Sequence, residues 1–333
     1  MKIAVLSYLA TYGNAPLVAA GCAALGHDVR LILRYRNKEG QSDYGFADEY
    51  PHWEIEKPEE LKVARQWVAD ADRLIVHAMP SLRWLVPRLL DQPTDKRGAI
   101  ILTSSHLMLG LPWERKPIEK AGVTPVDWNL AKIRASGYMP FVQPHKRVYV
   151  ESLSPEVYYP PIIARMSLTG CWPIQIGHSP GKEGRHHWKG TEAIADVFQR
   201  VNAVYGERVY CQILPEMEHA EVIERRRRMH IFVDQVCPSH PVEGGPDYWG
   251  GLDKSGLEAM GVGCVVVSSG GPFDCEADPP PVLYSDAEGL YDALRSMIDN
   301  RGRMKNMAAE GQRWIQAHCE PRVVAARILR AIA

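Results

Sequence analysis

The chain has 333 residues, of which 46% are apolar and 24% are charged, and its formal net charge is −1. The length predicts two α/β domains, and the composition is that of a globular protein. The near-zero charge excludes a global field that would attract nucleic acid or anionic membranes, and no charge-free apolar stretch reaches membrane-spanning length.

The first part of the chain predicts a parallel sheet flanked by helices. Continuous apolar runs are typical of strands that are buried on both faces, and such runs occur at 2–7, 29–33, 74–77 and 99–103. Residues 15–25 predict a helix that Gly26 closes. A further strand at 147–150 would close the sheet. This pattern indicates a Rossmann-like domain.

Two stretches lack strong periodicity. We interpret residues 110–146 as loops and short helices around a cleft, because Pro, Trp and basic residues are scattered along them. Residues 152–169 contain three prolines and are typical of an interdomain linker. The predicted domains are therefore 1–165 and 166–318.

Strand and helix patterns alternate again in the second part of the chain. Strands are predicted at 173–177, 208–214, 230–236 and 264–268. Helices are predicted at 189–204, 218–229 and 255–261. The tail from 287 is helical, with a break at Pro321, so that residues 319–333 form a helix that packs back on the first domain. We therefore predict an α/β protein with two Rossmann-like domains facing a central cleft.

The cysteines predict reduced, buried thiols in a cytoplasmic protein. There are seven of them, and no two have CxxC spacing. This pattern argues against a zinc site, and we expect no bound metal.

Arg185 and Lys189 lie four residues apart in a glycine-rich loop between a predicted strand and a predicted helix. Cations beside a helix amino terminus can bind a diphosphate, because the side-chain charge adds to the free backbone N–H groups. Stabilising a leaving nucleoside diphosphate is the main task of a metal-free nucleotide-sugar transferase. The alternative interpretation of this segment is a basic loop that is exposed to solvent and binds no ligand.

Glu258 is predicted in the first turn of the helix at 255–261. The helix dipole stabilises a carboxylate there, and the carboxylate can accept two hydrogen bonds from a ribose diol. A glutamate that only caps the helix is the alternative.

Together these segments resemble the carboxy-terminal domain of the retaining GT-B glycosyltransferases of family 4. The similar residues are HSP at 178–180, Arg185, KGT at 189–191, VDQ at 233–235 and EAM at 258–260. The resemblance covers most of 170–320. In the first domain it depends on the opening strand with its glycine turn, the segment 26–29 and a strand ending in His106.

The resemblance implies a GT-B fold and an enzyme that transfers a sugar from a nucleoside-diphosphate sugar to an acceptor hydroxyl with retention, without metal or cofactor. The first domain would bind the acceptor and the second the donor. By the resemblance, Arg185 and Lys189 bind the diphosphate, Glu258 binds the ribose, and His106 lies beside the transferred sugar. The remaining implied donor contacts are Gly13, Asn14, Gly190, Thr191, Lys254 and Ser255.

One departure from the family pattern keeps alternatives open. The family's first glutamate would stand at position 250, which is Gly250 here. Asp247, Asp253 or main-chain amides at 254–255 would then contact the sugar. A non-catalytic nucleotide-sugar-binding protein is therefore a second hypothesis.

The arginine run 225–228 raises a further hypothesis, a transferase acting on modified nucleic-acid bases, although a solvated helix face is favoured. A nicotinamide dehydrogenase is disfavoured because no GxGxxG follows the first strand. The expected donor is a UDP- or GDP-sugar. A glycan, a lipid-linked molecule or a small molecule would serve as acceptor.

Overall fold

The structure is a computed structural model that describes residues 1–9, 14–35, 51–77, 89, 97–101, 124–125, 140–142, 149–153, 173–180, 189–236, 252, 254–269 and 279–331. The chain divides into two compact units. The first comprises Met1–Pro160, Asp274–Glu276 and Cys319–Ala333, and the second comprises Pro161–Phe273 and Ala277–His318. The predicted boundary at 165/166 lies outside the described residues and stays a prediction.

The described strands of the first unit form one sheet. Its strands are β1 (Lys2–Leu9), β2 (Asp28–Tyr35), β3 (His52–Glu54), β4 (Arg73–His77), β5 (Arg97–Ile101), β6 (Thr124–Pro125), β7 (Pro140–Val142) and β8 (Tyr149–Leu153). Their order across the sheet is β3-β2-β1-β4-β5-β8-β7-β6. The strands from β3 to β8 in this order are parallel, and β7 and β6 add an antiparallel edge.

Two predictions for this sheet are wrong. Strand β8 pairs with both β5 and β7, so the strand predicted at 147–150 does not close the sheet. The region 110–146 contains β6 and β7, where only loops and short helices were predicted. These strands have two and three residues, which is too short for an alternating pattern to show in the sequence.

The described helices are numbered in chain order through both units. Their bounds are α1 (Asn14–Ala24), α2 (Pro58–Asp70), α3 (Thr191–Tyr205), α4 (His219–Arg226), α5 (Lys254–Gly261), α6 (Leu290–Ile298), α7 (Arg301–His318) and α8 (Pro321–Ala331). Gly26 ends α1 with a φ of +83°, as its position predicts. The sequence analysis missed α2, although Pro58 followed by Glu59 and Glu60 is a start signal.

The C-terminal helix α8 packs on α1 and belongs to the first unit. Val324, Ala325 and Ile328 of this helix are buried with the inward side chains of α1, β1 and β2. The two helices approach closely, because a Cβ on Gly21 would lie 2.1 Å from the carbonyl oxygen of Pro321. Glycine at this position is therefore required by the packing of α1 against the start of α8.

The second unit contains a sheet of parallel strands. They are β9 (Ile174–His178), β10 (Val209–Ile213), β11 (Ile231–Gln235), β12 (Val265–Ser268) and β13 (Leu283–Tyr284), in the order β10-β9-β11-β12-β13. All residues of β11 and β12 are buried, as the apolar runs predict. Side chains of α3, α6 and α7 complete the core. Two α/β units, each with a largely parallel sheet, confirm the predicted fold class.

Candidate functional site

The candidate site lies where the strands of the second sheet end. Ligands of open parallel sheets bind at the carboxyl ends of the strands, where helix amino termini also lie. Strand β9 ends at His178 and β11 ends at Gln235, while α3 and α5 begin nearby. The residues predicted from sequence cluster around these four chain segments.

The turn before α3 is fixed against the end of β11. Gly190 has left-handed backbone angles, with φ +68° and ψ +32°. A Cβ there would lie 2.1 Å from the carbonyl oxygen of Val236. The Val236 N–H donates to the carbonyl oxygen of Lys189 at 3.0 Å. Glycine is therefore required at this position, and the backbone of Lys189 is held in place.

His178, the last residue of β9, connects this strand to β11 and to the start of α3. Its ring is fully buried; Nδ1 lies 2.8 Å from the carbonyl oxygen of Val233, and Nε2 lies 3.0 Å from Oγ1 of Thr191. Because a carbonyl oxygen only accepts, Nδ1 carries the proton, and in the neutral ring Nε2 accepts from the Thr191 hydroxyl. The first residue of α3 is thereby tied to the sheet.

The Lys189 ammonium is held by a serine and a buried carboxylate. Its Nζ lies 2.8 Å from Oγ of Ser255 and 3.6 Å from Oδ1 of Asp234. The Ser255 hydroxyl also donates to Asp234. The Asp234 side chain is fully buried, whereas the Lys189 side chain is 14% exposed. The ammonium is therefore held in place by Ser255 and Asp234, and the Lys189 side chain is partly exposed.

Asp234 is a site residue that the sequence analysis missed, although the VDQ segment contains it. A carboxylate inside a run of buried strand residues is rare without a partner, and this was the available signal. The surroundings of Asp234 are tight, because a Cβ on Gly256 would lie 3.0 Å from its Oδ2. Asp234 thus contacts the first turn of α5 as well as Lys189.

Glu258 lies in the second turn of α5, because this helix begins at Lys254. Its predicted place in the first turn is therefore wrong, and the helix dipole contributes less there. The residue is 4% exposed. Oε1 lies 2.9 Å from Nε2 of His219, and Oε2 lies 2.5 Å from a terminal nitrogen of Arg226. The sequence analysis missed both partners of this carboxylate.

The structure brings together a subset of the predicted donor residues. Lys189 contacts Ser255 directly, and Glu258 lies three residues after Ser255, on the same face of α5. Gly190 and Thr191 begin α3. Asn14 and Lys254 are the first residues of α1 and α5, and their side chains lie outside the description. Gly13, His106, Arg185, Asp247, Gly250 and Asp253 lie outside the described residues.

The described part of the chain also bears on metal binding and on membrane insertion. Within it, no three His, Cys, Asp or Glu side chains cluster in a way that could hold a metal ion. None of the described helices is both long and apolar enough to span a bilayer.

Comparisons with known proteins identify similar folds. No protein-family model matches the sequence, and no curated protein is detectably similar to it. An α-glucosyltransferase in complex with UDP and a 13-mer DNA containing an HMU base matches with a TM-score of 0.57 and 12% identity, over 99% of this chain and 98% of that one.

Two further solved structures match over the same extent. Sucrose-phosphate synthase from Thermosynechococcus elongatus has a TM-score of 0.53 and 13% identity, over 99% of this chain and 98% of that one. HepE from Anabaena in complex with UDP and glucose has a TM-score of 0.51 and 11% identity, over 99% of each chain. At this identity the similarity concerns the fold, and it confirms the predicted GT-B fold over the whole chain.

Proposed function

We propose that the protein is a glycosyltransferase that moves a sugar from a nucleoside-diphosphate sugar to an acceptor hydroxyl. The observation that carries this proposal is the Lys189 ammonium, held by Ser255 and Asp234 at the carboxyl edge of the second sheet of a GT-B fold. A fixed cation beside two helix amino termini suits the diphosphate of such a donor.

The proposed donor contacts follow from the placement of these groups. Lys189 and Arg185 contact the diphosphate, together with backbone groups at Gly190 and Thr191. Lys254 and Ser255 lie at the start of α5, where the helix dipole favours negative charge. The carboxylate of Glu258 accepts from the hydroxyls of the ribose.

The proposed reaction needs stabilisation of the leaving diphosphate. Charge accumulates on the diphosphate as the glycosidic bond breaks, and preorganised cations stabilise it without a metal ion. We further propose that the sugar is transferred with retention of configuration, with His106 beside the sugar. The donor is a UDP- or GDP-sugar, and the first domain binds the acceptor.

The test compares a nucleotide with its nucleoside. Removing Lys189 alone would leave the buried Asp234 carboxylate without this counter-charge, so we use the double variant Lys189→Met/Asp234→Asn, which removes both charges. After a thermal-shift screen of UDP, GDP and ADP, calorimetry measures the best nucleoside diphosphate and its nucleoside. We expect the diphosphate to bind about 30- to 1,000-fold more weakly to the variant, from a lost charge-assisted contact of about 2–4 kcal/mol, and the nucleoside to bind unchanged.

The control is Lys305→Met, which removes an exposed lysine of the same unit. This variant should bind the nucleoside diphosphate like the wild type. Unchanged diphosphate affinity in Lys189→Met/Asp234→Asn would contradict the assignment of Lys189. A wild-type protein that binds none of the three nucleotides would contradict the proposed function itself.

A non-catalytic nucleotide-sugar-binding protein is the second candidate, because Gly250 replaces the glutamate that the resemblance implies. Incubation of the purified protein with the donor sugar distinguishes the two candidates. Release of free nucleoside diphosphate, with or without an acceptor, supports the transferase, whereas tight binding of a donor that stays intact with every acceptor class supports the binding protein. The anomeric configuration of the product, measured by NMR, tests retention.

A further inference from the structure

The arginine run 225–228 contains one member that differs from the others. Three of these side chains are between 28% and 61% exposed and pair with glutamates of helix α4. This arrangement matches the predicted solvated face and leaves little reason for a nucleic-acid surface there. Arg226, in contrast, is 3% exposed, so the predicted exposure is wrong for this residue.

Arg226 is enclosed by four different segments of the second unit. A terminal nitrogen lies 2.5 Å from Oε2 of Glu258, and the other lies 3.4 Å from Oγ of Ser179. The guanidinium lies over the ring of Phe232, with its carbon 4.6 Å from the ring centroid. The Cys264 thiol lies 3.3 Å from the main-chain oxygen of Arg226. The guanidinium is therefore fixed in position and orientation.

Stability alone does not explain this ion pair. Burying a guanidinium and a carboxylate costs several kcal/mol per ion, and an apolar pair of similar volume is often at least as stable. In addition, Nε of Arg226 is buried and has no hydrogen-bond partner among the described residues. The arrangement is therefore better suited to holding the carboxylate of Glu258 in one orientation than to strengthening the core.

Helix α4 contacts the Glu258 carboxylate from both of its ends. Its first residue, His219, lies 2.9 Å from Oε1, and its last residue, Arg226, lies 2.5 Å from Oε2. Contacts to both oxygens stop rotation of the carboxylate about its last side-chain bond. A glutamate whose rotation is already restricted loses less entropy when it accepts hydrogen bonds from a ligand.

We infer that Arg226 is a positioning residue that sets the Glu258 carboxylate for recognition of the nucleotide ribose. This inference rests on the proposed function and extends it to a residue outside the implied donor contacts. A fixed carboxylate accepts from both hydroxyls of a ribose, whereas a 2′-deoxyribose offers only one of them. The protein should therefore discriminate between a ribonucleotide and its deoxy counterpart, and Arg226 should control the size of this difference.

The test measures this discrimination by calorimetry. The probes are whichever of UDP, GDP and ADP binds best, and its 2′-deoxy counterpart. A hydrogen bond to a charged group predicts that the wild type prefers the ribonucleotide about tenfold to a hundredfold. Arg226→Lys keeps the buried charge but lacks the planar fork of arginine, so it should fold and lose most of this preference. Arg225→Met and Arg228→Met, which remove exposed neighbours, should keep it.

A double variant separates positioning from a general structural effect. Glu258→Gln should lose the preference by weakening binding of the ribonucleotide, and Arg226→Met/Glu258→Gln should weaken ribonucleotide binding no further, because Arg226 acts through Glu258. The double variant also avoids an uncompensated buried charge. Arg226→Lys with the full preference of the wild type would overturn the inference, and so would a further loss of ribonucleotide affinity in the double variant.

Different results would overturn the proposed function and the role of Arg226. A wild type that binds none of the nucleoside diphosphates would overturn the proposed function together with this inference. A wild type that binds the ribonucleotide and its deoxy counterpart equally would overturn the ribose assignment of Glu258, and with it the inference. The Lys189 experiment is independent of this result, because it compares a diphosphate with its nucleoside.

Discussion

Replacing Gly190 with alanine tests the turn that places Lys189. The left-handed conformation, with φ +68°, costs an L-residue about 1–2 kcal/mol. The new Cβ would lie 2.1 Å from the carbonyl oxygen of Val236, where ordinary contacts begin at 3.4 Å. One of the two segments must therefore move by roughly 1 Å, which breaks the hydrogen bond between Val236 and Lys189 at a cost of about 1 kcal/mol. We expect a total loss of about 2–3 kcal/mol.

Gly26, at the end of α1, provides the control. It also has a positive φ, of +83°, but a Cβ there meets nothing within 4 Å. Gly26→Ala should therefore lose only the backbone cost, about 1–2 kcal/mol. Because a two-unit chain need not unfold in one step, the local measure is hydrogen exchange of peptides from α3 for Gly190→Ala and from α1 for Gly26→Ala, followed by mass spectrometry.

The expected difference between the two variants is large enough to measure. A loss of about 2–3 kcal/mol in Gly190→Ala corresponds to exchange that is about 30- to 160-fold faster at the start of α3, whereas about 1–2 kcal/mol in Gly26→Ala corresponds to about 5- to 30-fold at the end of α1. Nucleotide binding should weaken only in Gly190→Ala, since Lys189 precedes this glycine. An equal acceleration of exchange in the two variants would refute the steric argument for Gly190.

Three further predictions concern the same unit and its chemistry. Thr191→Val removes the hydroxyl that donates to His178 and should cost about 1–2 kcal/mol of local stability, whereas Thr191→Ser should cost less; equal exchange of α3 in both would speak against the contact. Turnover should persist in EDTA, because cationic side chains stabilise the leaving group, and a loss that manganese or magnesium restores would contradict this. Burial raises the pKa of the Cys22 and Cys211 thiols to about 12, so both should resist iodoacetamide at pH 8 until the protein unfolds; rapid labelling of either in the native protein, seen by peptide mapping, would disprove it.

The strands and helices of the second unit from β9 to β12 could be predicted from sequence to within three residues, whereas β13 was missed. Strand β12 is the clearest example, because each of its residues is buried and the first three are valines. Helix α4 was predicted at 218–229 and spans His219–Arg226. These features depend on neighbours along the chain, which is why the sequence reveals them. The short strands β6 and β7 do not repeat a pattern, and the sequence analysis missed them.

The first residues of α3 could be predicted in part. The position of Lys189 between a strand and a helix indicated a cation beside a helix amino terminus, and the structure has α3 beginning two residues later. The partners of this cation could not be predicted, because Ser255 lies 66 residues further along the chain. The requirement for glycine at position 190 likewise depends on the carbonyl oxygen of Val236, which belongs to a different strand end.

Only the tertiary structure distinguishes Arg226 from the three arginines beside it. The four residues are identical in the sequence, and only Arg226, the last residue of α4, contacts Phe232 and Glu258. Glu258 lies 32 residues away from Arg226, so no local pattern relates the two. Periodicity, capping and turn preferences act over a few residues and determined the order of strands and helices. Burial of a charge and the identity of its partner depend on which segments pack together, and this is decided only when the sheet and its helices assemble.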